Sequence, residues 1–233
     1  MNSPSVFDPG ILRKLKSLDW LTAAQLEKLT ENMVVKNVRK KETIFDQGQP
    51  ADMIYLVISG TVRLSMLNQE NKRVVVTLVP PGNLVGLGFF FPEIGQPFES
   101  DAFSDCTIGT FKREIFAEIL LGVPSEAYLR CSELTMGRMV RMLLHCVRGI
   151  GLNLRKRLAL ELLELAASFG VEDRRGTILT VTPTHEDLAN SIGASRQKVT
   201  ECLADFKRHR VVIRDGRRLI VVPQNLRRIV EKG

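Results

Sequence analysis

The chain has 233 residues, 44% apolar and 25% charged, with a formal net charge of +7. Its length admits two modest domains or one large one, and the composition is that of an ordinary globular protein. Residues 151–233 hold 16 Lys and Arg against 10 Asp and Glu, while the first 150 hold 17 against 16. A basic C-terminal third on a neutral body points to a module that faces a polyanion. The four cysteines, Cys106, Cys131, Cys146 and Cys202, are too scattered for a disulfide framework, a zinc knuckle or an iron–sulfur run. The opening MNSPSVFDPG lacks a basic stretch followed by an apolar run, so no signal peptide is expected. No window reaches about 18 apolar residues, so no membrane partner is expected. Free thiols and the missing leader together predict a cytoplasmic protein.

Residues 11–31 predict short helices that cap a larger body. Leu12, Leu15 and Leu18 recur three apart, and Leu26 and Leu29 do so after Thr22. From Met33 to about Phe116, short runs rich in Val, Ile, Thr and aromatics alternate with glycine turns. Such a text predicts an all-β sandwich or roll. NQENK reads as a hairpin tip, and Pro80–Pro81–Gly82 as a hard turn.

At Ser125 the period becomes helical. Leu129, Met136, Val140, Leu143, Val147 and Ile150 fall at spacings of seven, four, three, four and three. That is a heptad seam, suited to a partner helix across a homodimer. Met139, Met142, Leu144 and Cys146 widen the apolar face, which suits additional packing on the roll of the same chain. The alternative is a helix buried only within its own domain. Gly149 and Gly151 weaken the helix and make 149–153 a hinge candidate. A second helix, LRKRLALELLELAASFG, follows and ends at Gly170. The organisation expected is a β-roll domain over 1–124, a dimerisation helix over 125–150 and a DNA-binding domain over 151–233.

TILTVT (177–182) alternates as a short strand, ended by Pro183. Thr184 and Asp187 have N-cap and N3 spacing. Leu188, Ala189 and Ile192 give a first helix its apolar side, Gly193 turns the chain, and Ser195 caps a second helix. Val199, Leu203 and Phe206 form the inner face of that second helix. Two short helices around a glycine corner predict a helix-turn-helix, whose second helix enters the major groove. Arg196 suits guanine, Gln197 adenine and Glu201 cytosine. Thr184, Ser195, Lys198 and Thr200 suit phosphates or flank the reading set. VVIRDGRRLIVV predicts a hairpin wing turning at Asp215–Gly216. Arg214, Arg217 and Arg218 at its tip suit the sugar-phosphate backbone.

These segments carry a resemblance. DLANSIGASRQKVTECLADFKRHRVV with the wing RDGRRLIVV resembles the winged helix-turn-helix of the cyclic-AMP receptor protein and fumarate–nitrate regulator family. IFDQGQPADMIYLVISGTVRLS and LVPPGNLVG are similar to that family's cyclic-nucleotide-binding-like roll. The resemblance spans residues 15–225. It implies an α+β chain: an N-terminal double-stranded β-roll, a long dimerisation helix and a C-terminal winged helix-turn-helix. It further implies a homodimer that binds a pseudo-palindromic duplex site, is switched by a small signal, and works with RNA polymerase.

Position by position, the family arginine that reads guanine matches Arg196. The next family residue, usually Glu, is Gln197 here, and a second reading Arg matches Glu201. The family's ribose-holding Glu aligns with Leu87, and its phosphate-holding Arg–Ser pair with Ser100–Asp101. A cyclic phosphate would lose its charge-assisted partner there and face Glu99 and Asp101. The signal expected is therefore not cyclic AMP. Leu87, Phe89 and Phe90 with Ser100, Asp101, Met136, Met139 and Val140 form the candidate effector pocket. The family's iron–sulfur members use a cysteine cluster near the N-terminus, whereas the first cysteine here is Cys106, so that cofactor is not expected. Haem stays open through His145 or Cys106. An apolar ligand, a thiol signal or no ligand also stay open.

No nucleophile–base pair, Walker-type loop or His–Glu metal run stands out, so no enzyme is expected. The alternative is a nucleotide-like or haem-sensing module that has lost DNA binding, against which Arg196 and the basic wing stand.

Overall fold

The computed structural model describes residues 9–13, 15–86, 88 and 93–231. The chain divides into two compact units. One takes the described residues up to Leu67 together with Val76–Leu143. The other takes Asn68–Val75 together with Leu144 onward. The division falls inside a helix, at Leu143–Leu144.

The first unit opens with α1 (Pro9–Leu12), a 3-10 turn (Lys16–Leu18) and α2 (Ala23–Glu31). Thr22 caps α2: its Oγ accepts from the Gln25 N–H, and Gln25 Oε1 accepts from the Thr22 N–H. That reciprocal pair satisfies two donors the first helical turn leaves without partners.

Eight strands follow: β1 (Val34–Val38), β2 (Thr43–Phe45), β3 (Met53–Ser59), β4 (Val62–Leu67), β5 (Arg73–Val79), β6 (Leu84–Val85), β7 (Glu99–Ala102) and β8 (Cys106–Lys112). They form two four-stranded sheets, β1-β8-β3-β6 and β2-β7-β4-β5. Early and late strands of this run interleave in each sheet, which makes the roll.

The run MIYLVI in β3 (Met53–Ile58) is apolar because both its faces are covered. Tyr55 and Val57 join Phe45, Leu64, Val85 and Ile108 in the roll interior. Ile54, Leu56 and Ile58 pack on the other side with Leu12, Leu29 and Trp20. Phe116 and Ile119 of α3 (Arg113–Leu121) join that second cluster; the sequence reading has no helix there. α4 (Ser125–Arg148) closes the strand-rich part of the chain.

The second unit contains α5 (Leu154–Phe169), β9 (Gly170–Asp173), β10 (Gly176–Leu179), α6 (His185–Ile192), α7 (Arg196–Arg208), β11 (Val212–Asp215), β12 (Arg218–Val221) and α8 (Pro223–Glu231). Asn153 caps α5 by accepting from the Lys156 N–H at 3.0 Å. Gly170 ends that helix as expected, yet it is extended (φ −94°, ψ 145°) and opens β9.

The sheet order is β11-β12-β10-β9. β9 and α8 have no counterpart in the sequence reading. The strand placed at 177–182 stops at Leu179, so Pro183 does not end it. Leu158, Leu162, Leu188, Val199, Phe206, Ile220 and Leu226 are fully buried here. Full burial of a Phe or Leu stabilises by about 1.5–3 kcal/mol relative to exposure, so this core holds α7 in place.

Candidate DNA-binding face and effector pocket

The recognition corner is built from local chemistry. Thr184 Oγ1 accepts from the Asp187 N–H at 3.1 Å, and Asp187 Oδ2 accepts from the Thr184 N–H at 2.8 Å. α6 ends at Gly193, which is left-handed (φ 61°, ψ 50°). An added Cβ there would have space, its nearest contact being Arg157 Nη1 at 3.7 Å. Backbone angle, not crowding, therefore demands glycine. Ser195 then caps α7, its Oγ accepting from the Lys198 N–H.

Val199, Leu203 and Phe206 turn inward and are buried. Arg196, Gln197, Lys198, Thr200 and Glu201 lie exposed on the other side. The Arg196 guanidinium has no hydrogen-bond or ion-pair partner among the described residues. Gln197 Nε2 donates to Glu201 Oε1 at 3.0 Å, so these two outward side chains occupy each other. The Thr200 hydroxyl donates to the Arg196 carbonyl at 2.9 Å and lies 2.8 Å from His185 Nδ1.

Residues distant in sequence brace the two helices. Arg157 Nη1 donates to the Ile192 carbonyl at 2.7 Å, satisfying an acceptor that the end of α6 leaves free. Arg155 pairs with Asp205 of α7 and sits 5.1 Å from the Phe206 ring centroid. That guanidinium, more than any other group, holds the Asp205 carboxyl below the usual range.

The wing differs in its turn. Asp215 pairs with Arg218, so the two-residue loop is Gly216–Arg217 rather than Asp215–Gly216. Gly216 has φ +59°, as the first position of a tight hairpin loop requires. Asp215 is held instead by Arg175 at 2.9 Å. Arg214, Arg217 and Arg218 are all exposed.

The first unit contains a cavity of about 260 Å³ between the roll interior and α4. Phe45, Leu64, Val85, Phe98, Met139 and Met142 supply most of its apolar wall. Thr135, Gln96 and Arg138 add polar groups. Arg138 is half-buried and forms part of this wall. Burial first, then the like charge of Arg141, push its pKa down to about 10.

Comparison with known proteins bears on both parts. Residues 35–122 match the cyclic nucleotide-binding domain family, and residues 156–229 match the Crp-like helix-turn-helix domain family. The chain belongs to the Crp/Fnr family. A CRP-like cAMP-activated global transcriptional regulator of Mycobacterium tuberculosis is 26% identical over 83% of this chain and 86% of its own. A global nitrogen regulator of Synechococcus elongatus is 25% identical over 80% of this chain and 85% of its own. In fold, a CooA mutant from Carboxydothermus hydrogenoformans superposes with a TM-score of 0.74 at 22% identity, over 97% of this chain and 98% of its own.

This Crp/Fnr protein is thus a DNA-binding transcription regulator with a β-roll, a long helix and a C-terminal helix-turn-helix. Its family comprises transcription regulators, not enzymes. No helix among the described residues is long and apolar enough to cross a membrane.

Of the sequence-based pocket residues, the cavity wall includes Met139. Met136 and Val140 are 56% and 48% exposed and are not part of the wall. The reason is helical period: Thr135, Arg138, Met139 and Met142 share one face of α4, and Met136 and Val140 turn away from it. Ser100 and Asp101 are buried in β7 but outside the wall. Asp101 is engaged by Arg63, whose Nε and Nη2 donate at 2.8 and 2.5 Å. Leu87, Phe89 and Phe90 lie outside the described residues. Arg138, Arg155 and Arg157 were missed. Each acts on a backbone or side chain at least 35 positions away, a distance at which no local spacing rule gives a signal.

Proposed function

We propose that this regulator works as a homodimer on a pseudo-palindromic site, one α7 per half-site, switched by a small signal other than a cyclic nucleotide. The observation that carries the reading is the apolar stripe left open along α4. Leu129, Met136, Leu143 and Val147 of the seam are 61%, 56%, 62% and 43% exposed, while Ile150 lies just past the end of the helix. A stripe of that length on a single chain marks an interaction surface, and its heptad spacing suits a second copy of the same helix. The functional segments are a sensor domain over 1–124, the dimerisation helix over 125–150 and the DNA-binding domain over 151–233. RNA polymerase is the partner through which DNA binding is read out, and the cytoplasm is its setting.

Arg196, Gln197 and Glu201 read bases. Thr184, Ser195, Lys198, Thr200, Arg214, Arg217 and Arg218 position the backbone. The free Arg196 guanidinium supports this assignment. The Gln197–Glu201 bond implies that those two read as a unit or part on binding. A cyclic nucleotide is disfavoured because the carboxylate at its phosphate position, Asp101, is already locked to Arg63. Haem is disfavoured because its candidate ligands are committed. Cys106 Sγ is buried and donates to the Thr61 and Ser104 carbonyls, and His145 Nε2 sits 3.5 Å from Glu161 Oε2.

Sedimentation and selection from random duplex DNA test the reading together. The expected results are a particle twice the 26.2 kDa chain mass and inverted half-sites centred about 34–36 Å apart or a multiple of that. A monomer that enriches single, unpaired half-sites would sink it. Arg217→Ala is expected to weaken binding to all duplexes alike. It should also lower the slope of log K against log salt by about one. An unchanged slope removes Arg217 from the phosphate contacts.

A further inference from the structure

Two half-buried arginines of the first unit, Arg63 and Arg138, are treated differently. Arg63 on β4 is neutralised by Asp101, directly opposite on β7, with contacts of 2.8 and 2.5 Å. Arg138 on α4 has no carboxylate partner among the described residues. Its Nη1 donates at 2.6 Å to a neutral acceptor, the Leu84 carbonyl. A guanidinium carries further N–H donors in a planar fork, and Arg138 is part of the wall of the 260 Å³ cavity.

Enclosing a cation without a counter-ion is costly, and an anion that enters relieves the cost. Arg138 stays protonated at neutral pH even with its pKa pushed down to about 10. Among the described residues, the cavity therefore offers one positive charge, Arg138, in a mostly apolar wall.

That combination selects its ligand. One cation matches one negative charge. A phosphate monoester brings about −1.5 to −2 and would leave charge uncompensated against Phe98, Met139 and Met142. A cyclic nucleotide is singly charged, but among the described residues its sugar and base would find only Thr135 and Gln96 as further polar side chains of the wall. A carboxylate fits the guanidinium fork in two-point fashion. A cavity of about 150 Å³ accepts a benzene ring, so this one has room for a ring or short chain with its acid group.

We propose that the cavity binds a small apolar monocarboxylate, with its carboxylate on Arg138 and its body against Phe98, Met139 and Met142. This deepens the reading of the roll as the sensor and rests on it.

Calorimetry on the full-length protein with benzoate and straight-chain acids from butanoate to decanoate, each beside its amide, tests the assignment. Cyclic AMP completes the panel. At least one acid is expected to bind about ten- to a hundredfold more tightly than its amide, the worth of a charge-assisted hydrogen bond. Arg138→Gln, which keeps a donor for the Leu84 carbonyl, is expected to lose that preference. Equal binding of acid and amide by the wild type overturns the carboxylate class without recourse to any variant. So does the absence of any acid binding tighter than about 1 mM, or a cyclic AMP affinity above every acid. The affinity for a selected duplex is measured in parallel. An acid that binds through Arg138 yet leaves DNA affinity unchanged upholds the ligand class and sinks the sensor reading.

Discussion

Leu143→Glu is expected to turn the protein into a monomer and to abolish specific DNA binding at concentrations where the wild type saturates its site. Leu143 sits in the middle of the α4 stripe and is 62% exposed on the single chain. A Glu there costs the isolated chain little, so the helix should keep its far-UV signal. In a symmetric pair the same position meets its counterpart across the axis. Two carboxylates would then be buried in an apolar seam, each costing several kcal/mol. Duplex affinity falls because one α7 reads one half-site, and the second half-site adds avidity only when the two are joined. Sedimentation at micromolar concentration reads the first effect and a gel shift the second. A dimeric variant would show that the pairing surface lies elsewhere.

Arg196→Ala should have the next largest effect, a loss of about 1–3 kcal/mol of base discrimination per half-site. The substitution removes an exposed, unpaired side chain at the first residue of α7. The Ser195 cap and the Val199–Leu203–Phe206 anchor stay in place, so the fold should be unaffected. The measurement is affinity for a selected site against random duplex at one salt concentration. The selected site should weaken far more than the random one, and the preference for guanine at the matching position should relax. An equal loss on both would mean that Arg196 contributes charge alone.

The recognition corner was readable before any coordinates because its signals are local. A cap bonds within three residues, as Thr184 does with Asp187 and Ser195 with Lys198. A left-handed corner announces itself as glycine at Gly193. The strands of the roll show in their β-branched runs, and α4 in its 3.5-residue seam. Even here, registers could slip. The wing loop sits one residue later than the Asp–Gly signal suggested, because Asp215 pairs with Arg218 across the hairpin.

Other features depend on groups that meet only when the chain closes on itself. Arg63 and Asp101 are 38 positions apart, Arg155 and Asp205 are 50, and Arg138 and Leu84 are 54. Each charge alone reads as an ordinary surface residue. Burial, the opposing strand and the facing carbonyl give it a role. The same holds for Met136 and Val140, counted from the sequence toward both the seam and the pocket. A helix presents one face at a time, and the fold of the first unit turns Met139 and Met142 to the cavity. Residue order over a few positions thus specified the caps, corners and strands of this Crp/Fnr protein. Which charges are neutralised by a carboxylate, and which lines the cavity of the first unit, was set by long-range packing, since electrostatic partners are chosen by distance in space.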